Sequence, residues 1–190
     1  MFRAEDIRCI ILAAGSARRF GSSKLLYPLK DGRSILQTTM KVYTDLFDQV
    51  TVICNDNLEL INQALRLNAL VEVNPQSDLG MSESIKLGVG DSKPNIGWLI
   101  VLADMPYVDP ISVIRLCQLA TRFNIVQARV SSKPANPVLI GADFRSEIMT
   151  LSGDVGAKSI LQAHNEAVLR VDLEDTGLIH DIDKLSDIRD

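Results

Sequence analysis

The sequence predicts an α/β protein, a three-layer α/β/α sandwich around a mostly parallel central sheet. Short, nearly unbroken apolar runs recur along the first half of the chain, as expected of parallel strands covered on both faces. Segments with apolar residues at helical spacing separate these runs, which is typical of βα units with right-handed crossovers. The runs that we predict as strands are 7–14, 49–54, 70–73 and 98–102.

Helical spacing is clear in three segments that follow predicted strands. The first two predicted buried faces consist of Ile35, Leu36, Thr39, Met40 and Tyr43, and of Leu58, Ile61, Ala64 and Leu65. A third helix should begin at Pro110, because Asp109 is a favourable N-cap and proline is favoured at the first helical position. Its predicted buried stripe is Ile111, Ile114 and Leu119.

The pattern is looser after residue 125. We predict strands at 125–130 and 138–140, joined by a polar, proline-containing stretch at 131–137, and interpret this region as a β-rich flap or insert. Helices are expected at about 142–150 and 155–163, then a strand at 167–171 and a terminal segment from about residue 181. A length of 190 residues suits one domain, which we assign to 1–190.

Composition excludes several classes of protein. Hydrophobic residues make up 46% and charged residues 23%, as in an ordinary globular chain. A formal net charge of -4 makes nucleic acid an unsuitable partner. Three cysteines, Cys9, Cys54 and Cys117, lie in apolar surroundings and are predicted to be buried thiols. No stretch has the roughly 18 apolar residues of a membrane span, and no signal region is evident, so we expect a cytoplasmic location.

The loop after the first predicted strand is rich in glycine and basic residues. It includes Gly15, Arg18, Gly21 and Lys24, which follow the apolar run directly. Ligands of open α/β sheets bind beyond the carboxyl ends of strands, and glycine lets backbone N–H groups approach an anion closely. We interpret the loop as a phosphate cradle whose arginines and Lys24 offset the charge of a triphosphate.

This loop is neither of two common phosphate-binding motifs. A Walker A loop needs glycine, four residues and then Gly-Lys-Ser/Thr, whereas here Gly15 is followed by Gly21 and the lysine comes at position 24. A dinucleotide fingerprint starting at Gly15 would need glycine at two positions that hold Ala17 and Phe20. The loop therefore predicts a phosphate cradle of another type.

A carboxylate ends the fourth predicted strand, and a polar connection follows the third. Asp104 would lie at the tip of a central strand, where it could bind Mg²⁺ together with substrate phosphates. The connection 74–84 contains Asn74, Gly80, Ser82 and Ser84 and could hydrogen-bond a base or ribose. Ser82 could equally be the N-cap of the following helix.

Taken together, these motifs resemble the molybdenum-cofactor nucleotidyltransferases, the MobA/MocA-like enzymes that attach CMP or GMP to the terminal phosphate of molybdopterin. The segment from Leu12 to Lys24 is similar to the signature of that family. Residues 103–106, Ala-Asp-Met-Pro, resemble its Gly-Asp-Met-Pro element, with Ala103 in place of glycine. Residues 181–183, Asp-Ile-Asp, resemble a later family motif, and in residues 135–139 Asn136 replaces a histidine.

The resemblance implies a fold like that of the nucleotide-diphospho-sugar transferases (GT-A-like) and a Mg²⁺-dependent transfer of CMP. Residues 152–157 and the leucines after Lys24 resemble the cytidylyl branch, so CTP is the favoured donor. The implied partners are CTP, molybdopterin, and a molybdoenzyme or its chaperone. The implied catalytic residues are Lys24, Asp104 and Arg18, and the implied metal ligands are Asp104 and Asp183. The implied nucleotide-binding residues are Leu12, Ala13, Ala14, Gly15, Arg18, Lys24, Asn74, Gly80 and Ser84.

Two alternatives stay open at this point. The first is a nucleotidyltransferase for a sugar phosphate, an isoprenoid precursor or another small phosphorylated acceptor, since such enzymes share the loop. The second is a non-catalytic nucleotide-binding protein that assists the maturation of molybdoenzymes, because fold and motif do not guarantee activity. Retention of both Lys24 and Asp104 favours an enzyme over the second alternative.

Overall fold

The computed structural model describes residues 3–15 and 24–189, and within them seven strands form one sheet. The strands are β1 (Ile7–Ala13), β2 (Val50–Cys54), β3 (Leu70–Val73), β4 (Gly97–Leu102), β5 (Ile125–Val130), β6 (Lys133–Gly141) and β7 (Val168–Asp172). The α-helices are α1 (Ile35–Thr44), α2 (Leu58–Arg66), α3 (Met81–Val89), α4 (Pro110–Gln118), α5 (Arg145–Met149) and α6 (Lys158–Ala163).

The strand order is β3-β2-β1-β4-β6-β5-β7. Strands β3, β2, β1 and β4 pair in parallel, and β5 pairs in parallel with β7. Only β6, among the described strands, runs antiparallel to its neighbours β4 and β5. The prediction of a mostly parallel sheet is therefore confirmed.

Helices cover both faces of the sheet. Side chains of β1 alternate between two buried clusters, with Cys9 and Ile11 in one, and with Ile10 in the other and Leu12 packed against it. The first cluster includes buried residues of α1, α2 and α4, and the second includes those of α3, α5 and α6. This arrangement confirms the predicted three-layer α/β/α sandwich.

The first helix is built as the sequence predicts. All five predicted face residues of α1 are buried, and Ser34 forms a capping box with Gln37 at its start. The reciprocal bonds run from the Gln37 backbone N–H to Ser34 Oγ at 3.1 Å and from the Ser34 N–H to Gln37 Oε1 at 2.9 Å. These bonds satisfy two N–H groups that would otherwise lack helical partners.

The predicted buried faces of the next helices need correction. In α4 the start at Pro110 with Asp109 as N-cap is confirmed, but Ile111 is 72% exposed. The buried face instead contains Val113, Leu116 and Cys117, whose i, i+3, i+4 spacing places them together. In α2 the buried residues are Leu60 and Ala64, whereas the predicted face residues Leu58 and Leu65 are exposed. Exposed apolar residues on these amphipathic helices obscured the true stripe.

The stretch 131–137 is a tight turn and a strand, so the predicted flap is wrong. Ser131 and Ser132 have φ of 49° and 65°, the pattern of a two-residue type I′ hairpin turn, and β6 already begins at Lys133. Pro134 and Pro137 lie within β6, where proline removes the N–H donor that an ordinary strand would offer. The two prolines therefore led to the prediction of a loop where the structure has the first half of β6.

The prediction of buried thiols is confirmed, because Cys9, Cys54 and Cys117 are all buried and free. Across residues 3–15 and 24–189, no helix has the length and apolar character needed to cross a membrane.

The C-terminal segment folds back onto the carboxyl end of β4. The Ala103 backbone N–H donates to Leu12 O at 3.2 Å, which holds the ends of β4 and β1 side by side. The Ile182 N–H donates to Asp104 O at 3.0 Å, so the segment containing Asp181 and Asp183 lies next to Asp104. A Cβ on Gly177 would lie 2.0 Å from Tyr107 O, so only glycine permits this close approach.

Candidate active site

A cleft of about 620 Å³ opens at the carboxyl ends of β1 and β4. This is the edge of the sheet where open α/β proteins bind ligands. The strand ends supply Leu12, Ala14, Gly15, Leu102 and Asp104. Its other walls come from the loop before α3, from α3 and from the C-terminal half, through Ser77, Asp78, Leu79, Gly80, Met81, Ser84, Asp154, Asp181 and Asp183.

Three carboxylates and one ammonium group meet at the mouth of this cleft. One oxygen from each of Asp104, Asp181 and Asp183 lies within 4.8 Å of the others. Lys24 Nζ lies 2.8 Å from Asp104 Oδ2 and 3.0 Å from Asp183 Oδ1. The side chains of Lys24 and Asp104 are 16% and 20% exposed, whereas that of Asp183 is 56% exposed. The predicted residues Lys24, Asp104 and Asp183 are therefore brought together.

Two opposing effects act on the pKa of Lys24. Burial alone would lower its pKa, but the hydrogen bond and charge of Asp104, followed by those of Asp183, raise the pKa above its ordinary value. The ammonium group therefore stays charged across the physiological pH range. It compensates part of the negative charge that the three carboxylates concentrate here.

The carboxylate cluster fits a hard divalent cation. Asp104 Oδ1 is buried, and within the described part of the chain no group donates a hydrogen bond to it. Buried polar atoms usually have a hydrogen-bond partner, and this oxygen, which has none, is free to coordinate a cation. Carboxylate oxygens are the ligands that Mg²⁺ prefers, and Mg²⁺ is commonly held by one or two of them plus substrate phosphates.

The connection between β3 and α3 forms a polar wall of the cleft. Asn74 is only 4% exposed, and its Nδ2 donates to Ser84 Oγ at 2.9 Å, while its Oδ1 accepts from the Gln76 N–H at 2.8 Å. Ser84 itself lines the cleft. Asn74 thus lies behind Ser84 and orients its hydroxyl, rather than lining the cleft directly.

The start of α3 packs closely against the loop that contains Gly153 and Asp154. Gly80 is the N-cap with φ of 112°, and a Cβ there would lie 2.4 Å from the Gly153 carbonyl carbon. The Met81 N–H donates to Asp154 Oδ1 at 3.1 Å, and the Ser82 N–H donates to Gly153 O at 3.2 Å. The alternative that Ser82 caps this helix is therefore wrong, because the N-cap is Gly80, two residues before Ser82.

The remaining predicted nucleotide-binding residues divide into three groups. Leu12, Ala14 and Gly15 line the cleft. Ala13 is 1% exposed and packs in the core cluster of α1, so only its backbone could contribute to ligand binding. Arg18 lies outside the described residues, and its predicted role stays a prediction.

Three aspartates in the cleft were not predicted. Asp181 belongs to the carboxylate cluster, and Asp78 and Asp154 line the cleft. The alternation Asp181-Ile182-Asp183 was a usable signal, because one apolar residue between two aspartates favours burial of the isoleucine and exposure of both carboxylates, as the structure has them. Asp154 lies in a segment that the sequence singled out only by resemblance.

A second cavity of about 780 Å³ adjoins the cleft and shares Met81 and Leu102 with it. Its polar lining differs from that of the cleft, because the lining residues that the structure describes include no carboxylate. They include two cationic and four amide side chains, namely Lys158, Arg170, Gln127, Asn136, Gln162 and Asn165. The described side chains that line the two cavities are therefore opposite in charge, acidic in the cleft and basic in the second cavity.

Solved structures share this fold. Rv0371c from Mycobacterium tuberculosis superposes with a TM-score of 0.83 at 23% identity, covering 97% of this chain and 96% of that one. A structure of Rv0371c in complex with manganese superposes with a TM-score of 0.72 at 21% identity, covering 88% of each chain. These matches confirm the predicted fold class.

Curated relatives carry different names. A nicotine blue oxidoreductase of Paenarthrobacter nicotinovorans is 26% identical over 94% of this chain and 94% of its own length. A probable molybdenum cofactor guanylyltransferase of Aquifex aeolicus is 23% identical over 80% of this chain and 78% of its own length. The fold is thus shared by proteins named for different activities.

The match to a family model identifies this chain more specifically than its similarity to either relative. Residues 9–168 match the family described as MobA-like NTP transferase domain. The matched residues contain most of β1, all of β4, the loop between Gly15 and Lys24, and Asp104. The chain therefore belongs to the family of MobA-like NTP transferase domains, as its resemblance to the molybdenum-cofactor nucleotidyltransferases implied.

Proposed function

We propose that this protein is a Mg²⁺-dependent cytidylyltransferase that moves CMP from CTP onto the phosphate of molybdopterin and releases pyrophosphate. The observation that carries the proposal is the meeting of Lys24 with Asp104, Asp181 and Asp183 at the mouth of a cleft formed by β1 and β4. Nucleotidyl transfer needs a cation site and a basic group at one reacting centre, and this arrangement supplies both.

The cleft suits the donor nucleotide. The backbone at Ala14 and Gly15 lies beside the carboxylate cluster, where N–H groups could contact the phosphates. The cleft extends from there to Ser84 and Gly80. The Ser84 hydroxyl and the Gly80 backbone could contact a base or ribose. The preference for CTP rests on the resemblance of residues 152–157 to the cytidylyl branch.

The metal site would use carboxylate oxygens only. Asp104, whose buried Oδ1 has a free coordination position, would be the first ligand, with Asp183 and Asp181 beside it. Bound Mg²⁺ would supply charge neutralisation at the α-phosphate. The complex of the structurally similar Rv0371c with manganese supports a divalent cation in this fold.

The reaction would be an in-line attack by an acceptor phosphate oxygen on the α-phosphorus of CTP. The bond between the α-phosphorus and the bridging oxygen to the β-phosphate breaks, and pyrophosphate leaves. Lys24 would leave the carboxylates and donate hydrogen bonds to the triphosphate as charge accumulates on the leaving group. Positioning and charge stabilisation suffice for such chemistry, so no protein nucleophile is required.

The second cavity suits the acceptor. Lys158 and Arg170 can attract an anionic group, while the amides of Gln127 and Asn136 offer donors and acceptors to a heterocycle. A molybdopterin carries both kinds of group. The shared residues Met81 and Leu102 bring this cavity next to the cleft, so an acceptor phosphate could reach the α-phosphorus.

A second candidate is an oxidoreductase, because the relative from Paenarthrobacter nicotinovorans carries that name. The loop after β1 lacks the dinucleotide fingerprint, since Ala17 and Phe20 occupy two of its glycine positions. A carboxylate cluster paired with lysine also serves phosphate transfer better than hydride transfer. Transfer to a sugar phosphate and a purely accessory role remain alternatives that the same experiment distinguishes.

The test is pyrophosphate release by the purified protein with Mg²⁺, molybdate-loaded molybdopterin and each of the four NTPs in turn. Asp104→Asn is the test variant, and Asp143→Asn is its control because Asp143 pairs with Arg122 outside the cleft. We expect release with CTP only, lost in Asp104→Asn and retained in Asp143→Asn. Release with a sugar phosphate but not with molybdopterin would support the first alternative. CTP binding without release would support the accessory role. Consumption of NADH in a parallel incubation, with NADH in place of the NTP, would support the oxidoreductase.

A further inference from the structure

The C-terminal segment supplies two of the three carboxylates of the cluster, although it forms neither an α-helix nor a strand there. Ile182 anchors it, because its side chain is fully buried and its N–H donates to Asp104 O at 3.0 Å. Ile182 faces the core, whereas Asp181 and Asp183 on either side of it are exposed and line the cleft.

Asp187 closes the turn that follows the two aspartates. Its Oδ2 accepts hydrogen bonds from the Asp183 N–H at 3.0 Å and from the Lys184 N–H at 2.9 Å. Its backbone carbonyl accepts a hydrogen bond from His180 Nε2 at 2.6 Å. One residue thus binds the chain on both sides of the Asp181-Ile182-Asp183 stretch.

A second set of contacts holds the end of this segment. Tyr107 Oη accepts a hydrogen bond from the Arg189 N–H at 2.9 Å, and the Arg189 guanidinium lies 4.7 Å from the centre of the Tyr107 ring. The His180 ring packs edge-on against the same tyrosine, with ring centres 5.3 Å apart. Tyr107 follows Asp104 closely in the chain, so these contacts fix Asp187 relative to the loop that contains Asp104.

We propose that Asp187 is a positioning residue for the metal site: it fixes the backbone of Asp183 so that the carboxylates of Asp181 and Asp183 face Asp104. This inference rests on the proposed function, because it concerns the same cation site. Asp187 does not belong to the carboxylate cluster, and its Oδ2 is engaged by the two backbone N–H groups. Partners that orient metal ligands typically change metal affinity by about 10- to 100-fold when they are lost.

The experiment measures Mn²⁺ affinity of the full chain without nucleotide, by electron paramagnetic resonance of free Mn²⁺. We expect Asp187→Ala to weaken binding by about tenfold or more. Asp187→Asn should stay within about threefold of the wild type, since an amide oxygen can accept the same two hydrogen bonds. The matched control is Asn57→Ala, because Asn57 Oδ1 accepts from two backbone N–H groups, at 3.0 Å and 3.3 Å, at the start of α2.

Several outcomes would overturn the inference. Unchanged affinity in Asp187→Ala, or an equal loss in Asn57→Ala, would show that Asp187 has no specific effect on the metal site. Wild-type affinity that is insensitive to Asp104→Asn would overturn the metal site itself, and with it the proposed function and this inference. Should Asp187→Ala fail to fold, amide hydrogen exchange in the wild type decides: the Asp183 and Lys184 amides must be protected, and free exchange would contradict the proposal.

Discussion

Lys24 Nζ lies 2.8 Å from Asp104 Oδ2, so an ammonium group holds the carboxylate that we propose as the main metal ligand. The same nitrogen lies 3.0 Å from Asp183 Oδ1. Without nucleotide, Lys24 thus neutralises part of the cluster that a cation would bind. With nucleotide, the triphosphate competes for this ammonium group and frees the carboxylates for the metal. Metal and nucleotide are therefore expected to bind cooperatively.

Lys24→Met removes the charge while keeping much of the side-chain length. We expect Mn²⁺ binding without nucleotide to tighten by about tenfold, or about 1.4 kcal/mol, because the competing cation is gone. Cytidylyl transfer should fall by about 10- to 100-fold, the effect of losing a charged hydrogen bond of about 1.5–3 kcal/mol. Metal titration and pyrophosphate release measure the two effects. The control is Lys86→Met, which removes an ion pair with Glu83 and should change neither quantity. Weaker Mn²⁺ binding in Lys24→Met would contradict this account.

Substitution of a carboxylate in the cluster should raise the Mg²⁺ requirement more than substitution of another carboxylate in the same cleft. Asp181→Asn and Asp183→Asn are each expected to raise the Mg²⁺ concentration needed for half-maximal activity by about tenfold, since each removes one negatively charged ligand. Asp78→Asn is the matched control, because Asp78 lines the cleft but does not belong to the cluster. An equal rise in all three variants would mean that the cleft's overall charge, and not a defined site, holds the metal.

Gly80→Ala should disrupt the nucleotide cleft. Its φ of 112° and the position of Gly153, whose carbonyl carbon would lie 2.4 Å from an added Cβ, require the start of α3 to move. We expect a loss of at least about 2 kcal/mol in the free energy of unfolding, together with weaker CTP binding. Gly32→Ala provides the comparison, because Gly32 has φ of 82° but nothing within 4 Å of an added Cβ. That variant should lose about 1 kcal/mol and keep CTP affinity. Urea unfolding and calorimetric titration test both expectations.

Buried thiols make the fold sensitive to alkaline pH. Burial raises the pKa of Cys54 to about 11 and that of Cys117 to about 12, from an ordinary value near 9.0. Because the thiols ionise first in the unfolded chain, their contribution to stability is complete below pH 9 and is lost as pH rises toward the folded values. Urea unfolding at pH 8 and pH 10 should show this decline, and Cys117→Ala should reduce it. A flat profile would indicate that these thiols stay protonated in both states.

Much of the fold could be predicted from the sequence because buried parallel strands leave a strong local signal. Apolar runs located the buried strands β1, β2 and β4, and a shorter run located β3, which is an edge strand with mostly exposed residues. The loop and carboxylate at the ends of β1 and β4 indicated the cleft. The beginning of β6 could not be predicted, because Pro134 and Pro137 are unfavourable in an ordinary strand. The predicted buried face of α4 was wrong, because the sequence alone does not show which of its isoleucines is exposed.

The candidate site was less predictable than the fold. Asp104 directly follows a central strand, and Lys24 belongs to a basic loop, so both have local signals. Asp181 and Asp154 come from segments distant in sequence whose position depends on long-range contacts, such as the bond from the Ile182 N–H to Asp104 O. Nothing in the local sequence encodes that contact.

The most direct test follows the label of CTP radiolabelled at the α-phosphorus, incubated with Mg²⁺, molybdate-loaded molybdopterin and the wild-type protein. The account predicts that the label appears in a molybdopterin–cytidine dinucleotide, with one pyrophosphate released per product and no product from Asp104→Asn. Label that remains in CTP, or that appears only as free CMP, would contradict the proposed transfer.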